Sequence, residues 1–343
     1  MSEVTTVRGT IPAEDLGICL THEHVLNDVT SWWHRTESTG LDPDSFAGKT
    51  VAMEDLWDLK HDPFGNRDNC RLDDMAIAED ELHRYRALGG RSMIETTCIG
   101  IGRDLKGLSA LSERTGVNII AGTGFYLEAA HPEFVRVKAV DELAEMILAD
   151  LQQGEDGVRP GIIGEIGVSQ DFTAAEHKSL TAACIVQRET GLPMQVHLPG
   201  WFRLADAVLD HVEANGVDPA WVVLCHMNPS GADQQYQRRL AERGAWIQYD
   251  MIGAELFYAD QGVQCPSDEE NARNIVSLVE AGHLNRVLVS SDIFLKNLLR
   301  AYGGPGYGHV LQYFVPRLRR LGLGADAVEQ LLVGNPRSLF ERS

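Results

Sequence analysis

The stretch Ile18-Cys19-Leu20-Thr21-His22-Glu23-His24-Val25 sets the frame for the rest of the chain. The apolar run Ile18-Cys19-Leu20 leads directly into two histidines spaced i and i+2. In a β-strand such residues share a face, so His22 and His24 are expected side by side, with Glu23 turned away. Two imidazoles converging at the end of a buried strand are natural ligands for a divalent ion. An H-x-H pair is equally compatible with ordinary polar packing, so its meaning depends on what other strands bring to the same place.

The pattern repeats. Apolar, β-branched runs predict strands at 18–25, 92–99, 118–126, 161–168, 193–198, 221–227, 246–252 and 286–293. Between them lie segments of helical period. One is 73–88, with Met75, Ile77, Leu82, Tyr85 and Leu88 spaced for one face; others are 141–151, 174–190, 204–215, 234–243 and 269–281. Several end in glycine stop signals, such as Thr190-Gly191 and Asn215-Gly216. Eight strands alternating with helices predict an α/β fold, a (β/α)8 TIM barrel. An open doubly wound sheet is the alternative. No G-x-G-x-x-G follows the first strand, and Gly122-Thr123-Gly124 is only a fragment of one. With no repeat, linker or low-complexity tract, the expectation is one domain over residues 1–343. A long, polar, turn-rich insertion, residues 27–70, follows the first strand. Connections of this length serve as lids, binding loops or interfaces.

Bulk properties narrow the function. The 343 residues carry a formal net charge of −20, which argues against nucleic-acid or anionic-membrane partners. No apolar run approaches the roughly 20 residues of a membrane span, and the N-terminus shows no signal-peptide pattern. The six cysteines are scattered without a C-x-x-C pair, which fits reduced thiols in a cytoplasmic protein. A small-molecule substrate is the expected partner, and a homodimer stays open.

The chemistry sits at strand ends. Glu165 interrupts the apolar fourth run, where a carboxylate is costly unless paired or metal-bound. His197 closes the fifth run and His226 the sixth, each just before turn residues. Asp292 closes the eighth, either as N-cap of a helix over 294–301 or turned inward as a ligand. In a barrel all these ends meet at one rim. His22, His24, Glu165, His197, His226 and Asp292 together suit a pair of borderline divalent ions such as zinc. Two ions about 3.5–4 Å apart trap a hydroxide at neutral pH and polarise a carbonyl or phosphoryl oxygen.

Thr21-His22-Glu23-His24, Gly161-Ile162-Ile163-Gly164-Glu165-Ile166-Gly167, Gln195-Val196-His197, Leu224-Cys225-His226 and Ser291-Asp292 occur in one order along nearly the whole chain. In this the sequence resembles the phosphotriesterase-related branch of the amidohydrolase superfamily. Tyr302-Gly303-Gly304-Pro305-Gly306-Tyr307-Gly308-His309 resembles the loop after the eighth strand of phosphotriesterase homology proteins. The resemblance implies a (β/α)8 barrel with a binuclear centre. His22, His24 and Asp292 would hold the more buried ion, and His197 and His226 the other. It also exposes a departure. Phosphotriesterases and many related lactonases bridge their ions with a carboxylated lysine on the fourth strand, whereas here Glu165 stands in that place. This is similar to the glutamate-bridged branch, which includes lactonases and an N-acetyltaurine amidase-like group, and it argues against phosphotriester hydrolysis as the native activity.

Substrate signals are sparser. Lys296 and Arg300, one turn apart on the expected helix, could meet an anionic group or form a solvated face. Tyr126, Trp201 and Tyr249 lie near strand ends and could line a pocket or pack in the core. The expectation is a zinc-dependent hydrolase acting first on lactones or related carboxylic esters. N-acyl amides come second; phosphoesters, or ligand binding alone, are rivals. The hydroxide attacks the carbonyl, and Asp292 acts as the catalytic base and proton shuttle.

Overall fold

The computed structural model describes residues 2–37 and 39–341. Eight parallel strands form one sheet in sequential order: β1 (Cys19–Glu23), β2 (Ser92–Glu95), β3 (Asn118–Thr123), β4 (Ile162–Gly167), β5 (Met194–His197), β6 (Val222–Leu224), β7 (Trp246–Tyr249) and β8 (Val287–Val289). The ring closes between β8 and β1, where Thr21 Oγ1 donates to the Val289 carbonyl and the Asp292 amide donates to the His22 carbonyl at 3.2 Å. Helices α1 (Met75–Ala87), α2 (Leu105–Thr115), α3 (Val140–Gln153), α4 (Ala174–Thr190), α5 (Ala205–Ala214), α6 (Gln234–Glu242) and α7 (Asp268–Glu280) alternate with the strands. The fold is a (β/α)8 barrel. Helix α4 shows how local sequence sets such boundaries. Thr173 caps its first turn, Glu176 completes the capping box, and Gly191 ends it at φ 67°.

The core has two layers. Leu20, Met93, Ile119, Ile163, Val196, Leu224, Ile247 and Val289 face outward to the helices. Cys19, Ile94, Ile120, Ile162, Val223, Trp246 and Leu288 fill the barrel interior. An N-terminal hairpin, Glu3–Thr6 with Gly9–Pro12, adds Val4 to this inner cluster at the end opposite the C-terminal rim of the strands, together with Ala13 and Leu16 from the turn that follows it.

The insertion after β1 is a folded unit. Asn27–Asp28 pairs antiparallel with Arg71–Leu72 at its base, and Pro43–Ala47 and Leu56–His61 are short helices around Phe46, Val51 and Leu59. It is bonded to the loop after β8, with Asn297 donating its amide to Asn69 Oδ1 at 2.9 Å and Asn69 Nδ2 donating to Asn297 Oδ1 at 3.1 Å. Those contacts explain a difference from expectation. Residues 294–301 form no α-helix but two 3-10 turns, Lys296–Leu298 and Arg300–Tyr302, so Asp292 caps no helix. All six cysteines are free and buried. Among the described residues, no helix is long and apolar enough to cross a membrane.

Candidate active site

The six expected ligands converge at the C-terminal rim of the barrel, and local irregularities aim them there. On β1 the register advances three residues, Leu20 to Glu23, against two on β2, Met93 to Glu95. On β4 it advances from Ile163 to Ile166 against Met194 to Val196 on β5. Each is a one-residue bulge, which shifts the inward and outward alternation by one and turns His22, His24 and Glu165 to the barrel axis. Simple alternation along β1, as the sequence suggests, would not put these histidines inward above an outward Leu20. His226 and Asp292 both have left-handed backbone, φ 57° and 49°, an uncommon state for residues other than glycine and one that collects at functional sites.

Glu165 is the hub. Its Oε1 lies 3.5 Å from His24 Nε2. Its Oε2 lies 3.7 Å from His22 Nε2, 3.2 Å from His197 Nδ1 and 3.4 Å from His226 Nε2. Asp292 Oδ1 lies 3.6 Å from His22 Nε2 and 3.4 Å from His24 Nε2. Most of these separations are long for hydrogen bonds. They suit donors sharing an ion, because two ligands each about 2.0–2.2 Å from one tetrahedral centre lie about 3.4 Å apart. His22 Nε2 is fully buried without any hydrogen-bond partner, as a nitrogen reserved for a metal would be. His22 is 0% exposed, whereas His197 is 8% and His226 7% exposed, so the second half of the cluster is the one nearer solvent.

Neighbours orient each ring. His22 Nδ1 lies 2.9 Å from Gln195 Oε1 and 3.1 Å from Gln248 Nε2, which leaves Nε2 facing the cluster. His24 Nδ1 donates to Thr97 Oγ1 at 2.8 Å, and that hydroxyl donates to Glu95 Oε1 at 2.6 Å. His226 Nδ1 donates to Asp250 Oδ1 at 3.0 Å. The Tyr307 hydroxyl, from the loop after β8, donates to the His24 carbonyl at 2.6 Å. Glu23, turned away from the ligands, accepts from the Ser290 hydroxyl and the amides of Ser291 and Ile293, tying β1 to the segment that carries Asp292. Burial alone would raise the Glu165 carboxyl, but the surrounding imidazoles outweigh it and hold the group well below the ordinary carboxylate range. Burial pushes the His197 imidazole down, and neighbouring His226 adds to this. His226 is equally buried, yet Asp250 holds it above the ordinary imidazole range.

The Phosphotriesterase family matches residues 2–340. The chain belongs to the phosphotriesterase family. It is 34% identical to an N-acetyltaurine hydrolase of Xenopus tropicalis, over 98% of this chain and 97% of that protein. It is also similar to the crystal structure of a resiniferatoxin-binding protein from Rhodobacter sphaeroides, at 49% identity and TM-score 0.96, covering 99% of this chain and 95% of that one. The phosphotriesterase homology protein from Escherichia coli, solved with phosphate in its active site, is 29% identical with TM-score 0.80, covering 95% and 99% of the two chains. The phosphotriesterase family is metal-dependent, and the clustered histidines and carboxylates of this member are candidate ligands.

Beside these candidate ligands the phosphotriesterase-family barrel opens into a cavity. Tyr126 and Trp201 line it. The Tyr126 hydroxyl lies 3.3 Å from His197 Nδ1 and accepts from Trp32 Nε1 at 3.2 Å. Tyr249, Lys296 and Arg300 do not line it. Tyr249 alternates with inward Trp246 and Gln248, so it faces the helices, where its hydroxyl donates to Gln237 Oε1 at 2.5 Å. Lys296 is buried in an ion pair with Asp68 at 2.6 Å, and Arg300 is exposed on the outer surface. Sequence reasoning missed Asp250 and the cavity aromatics Trp32, Phe64 and Tyr258. Asp250 was findable, because it interrupts the seventh apolar run as Glu165 interrupts the fourth. Trp32 and Phe64 belong to the insertion, whose fold has no periodic signature.

Proposed function

We propose that this chain is a hydrolase that holds two divalent ions, zinc being the ion best suited to four imidazoles and two carboxylates, and cleaves an ester or amide at its carbonyl carbon. One observation carries the reading: Glu165 lies among all four histidines, with Oε1 nearest His24 and Oε2 nearest His197 and His226 and 3.7 Å from His22. A carboxylate so placed joins two halves, with His22, His24 and Asp292 in one and His197 and His226 in the other. Such ions, when bound, make water acidic enough to supply hydroxide near neutral pH and polarise a carbonyl oxygen. The chain's own groups do the rest. Asp292 lines the cavity and reaches both halves, with Oδ2 3.7 Å from His226 Nδ1, so it is positioned to take a proton from the attacking water and pass it to the leaving alcohol or amine. The tyrosine hydroxyl of Tyr126 reaches the same space from the substrate side.

Lactones and related carboxylic esters are the first substrate class. N-acyl amides are the second reading, favoured by the similarity to N-acetyltaurine hydrolases. The deciding experiment combines metal analysis of the purified protein with a screen of lactones, aryl esters, N-acyl amides and organophosphates. Turnover that disappears on chelation and returns with added metal is the expected result. A metal-loaded protein that hydrolyses none of these classes overturns the proposal in favour of ligand binding alone.

A further inference from the structure

Building on the hydrolase reading, we propose that the site selects substrates bearing an uncharged, apolar group and discriminates against anionic ones, with an arc of aromatic rings as the specificity-determining surface. The arc starts at the ligands and crosses three loops. Trp32 lies 6.3 Å from the His197 ring and stacks on Phe64 at 5.4 Å and 22°. Phe64 lies 4.9 Å from Tyr258, and Tyr258 meets Trp201 edge-on at 5.5 Å. Trp32 and Phe64 come from the insertion after β1, Trp201 from the loop after β5 and Tyr258 from the loop after β7. Met251 and Phe294 extend the apolar wall.

Among the described residues that line the cavity, none is lysine or arginine. The nearby cations are engaged elsewhere. Lys296 pairs with Asp68, and the Arg67 guanidinium lies 3.8 Å over the Trp33 ring. An anionic group seated against these rings would lose its water and gain no fixed cation from the wall, leaving only the ions at one end of the cavity to offset that cost. Aromatic faces do attract cations. The ligand cluster, however, is built to gather divalent ions at one end of the same cavity, and their field opposes a cationic substrate. An uncharged apolar group meets neither penalty and gains the full benefit of aromatic contact.

The test uses matched acetate esters and acetamides whose two-carbon tail ends in tert-butyl, sulfonate or trimethylammonium, groups of similar size and different charge. N-acetyltaurine is the sulfonate amide of the set. Binding to metal-loaded protein is read by calorimetry and turnover by kcat/KM. The tert-butyl members are expected to bind at least about 10²-fold tighter than the sulfonates, with kcat/KM in the same order. Placing a cation at the cavity mouth, Gln261→Lys, is expected to raise sulfonate affinity by about tenfold; no gain there counts against wall charge as the cause. Sulfonates that bind as well as the tert-butyl compounds, trimethylammonium compounds that bind best, or tert-butyl compounds that fail to bind each overturn the selectivity and leave the hydrolase reading intact. The expected binding order without turnover of any member, or of the wider screen, sinks the hydrolase reading and supports the selectivity.

Discussion

Asp250→Asn tests whether the groups behind the ligands tune the cluster. Asp250 is completely buried. Its carboxylate accepts from His226 twice, from the ring Nδ1 at 3.0 Å and from the backbone amide at 3.0 and 3.1 Å. Its pKa is held below the ordinary carboxylate value, because the neighbouring His226 and His22 more than offset the burial that would otherwise raise it. Asparagine has the same shape and keeps one oxygen for the ring N–H, so the variant removes charge with little change of geometry. A neutral acceptor makes the imidazole a weaker donor to a metal. Partners of this kind contribute about 10–100-fold to metal affinity, or about 1.4–2.8 kcal/mol. The loss should fall mainly on the half formed by His197 and His226, since Asp250 bonds the His226 ring at 3.0 Å but lies 3.6 Å from the His22 ring, which Gln195 meets at 2.9 Å. Equilibration in buffers of defined free zinc, followed by metal analysis per chain, should show one ion weakened by that factor and the other nearly unchanged. Activity should recover when free metal is raised. Unchanged affinity for both ions refutes the reasoning. Loss of both, without recovery in excess metal, makes Asp250 a structural residue.

The remaining expectations concern the ligands and the surrounding contacts. Chelation should remove close to two ions per chain together with activity, measured by atomic emission and a rate assay; full activity in chelator sinks the metal reading. Glu165→Gln keeps the size of the side chain but not its charge, and should lower metal occupancy and rate by orders of magnitude while circular dichroism shows a folded barrel. Asp292→Asn should lower kcat by about 10²–10⁴-fold if the carboxylate takes the proton; the comparison is made at equal metal content, and wild-type kcat with both ions bound removes the shuttle role. Lys296→Ala breaks the mostly buried pair with Asp68, so it should cost about 1–3 kcal/mol of stability, seen as a lower Tm, with KM nearly unchanged. A large KM change without a Tm change would place Lys296 at the substrate after all.

Much of the architecture was legible in the sequence because the barrel is a periodic object. Each apolar run found a strand, and the observed strands are shorter, as with Val222–Leu224 inside the expected 221–227, because only the paired core of each run lies in the sheet. The ligands were legible for a related reason. A histidine or carboxylate closing a buried run stands out, and the closure of the barrel gathers all such ends at one rim. The cavity wall was not legible. Trp32, Phe64 and Tyr258 come from irregular segments whose placement depends on contacts distant in sequence, such as Asn69 with Asn297. Lys296 was misread for the same reason, since nothing near it in the sequence announces Asp68 as its partner.

The two demands made on each strand explain the bulges and the left-handed backbone of His226. Packing against the helices requires Leu20, Ile163 and Leu224 to face outward, and the barrel interior requires Cys19, Ile162 and Val223 to face inward. Continued regularly, that alternation would point His22, His24, Glu165 and His226 at the helices. His197 and Asp292 alone fall inward in phase, following Gln195 and Ser290. The chain reverses the phase once in each offending strand, by an extra residue in β1 and β4 and by a left-handed backbone at His226. These devices lie between the packed lower barrel and the ligand rim, so each part keeps the side-chain orientation it needs. A bulge adds one residue without altering composition or hydrophobicity, which is why periodicity reveals the strands and conceals the reversal. Residue type points to the candidate ligands, and the backbone irregularities decide that they face one another.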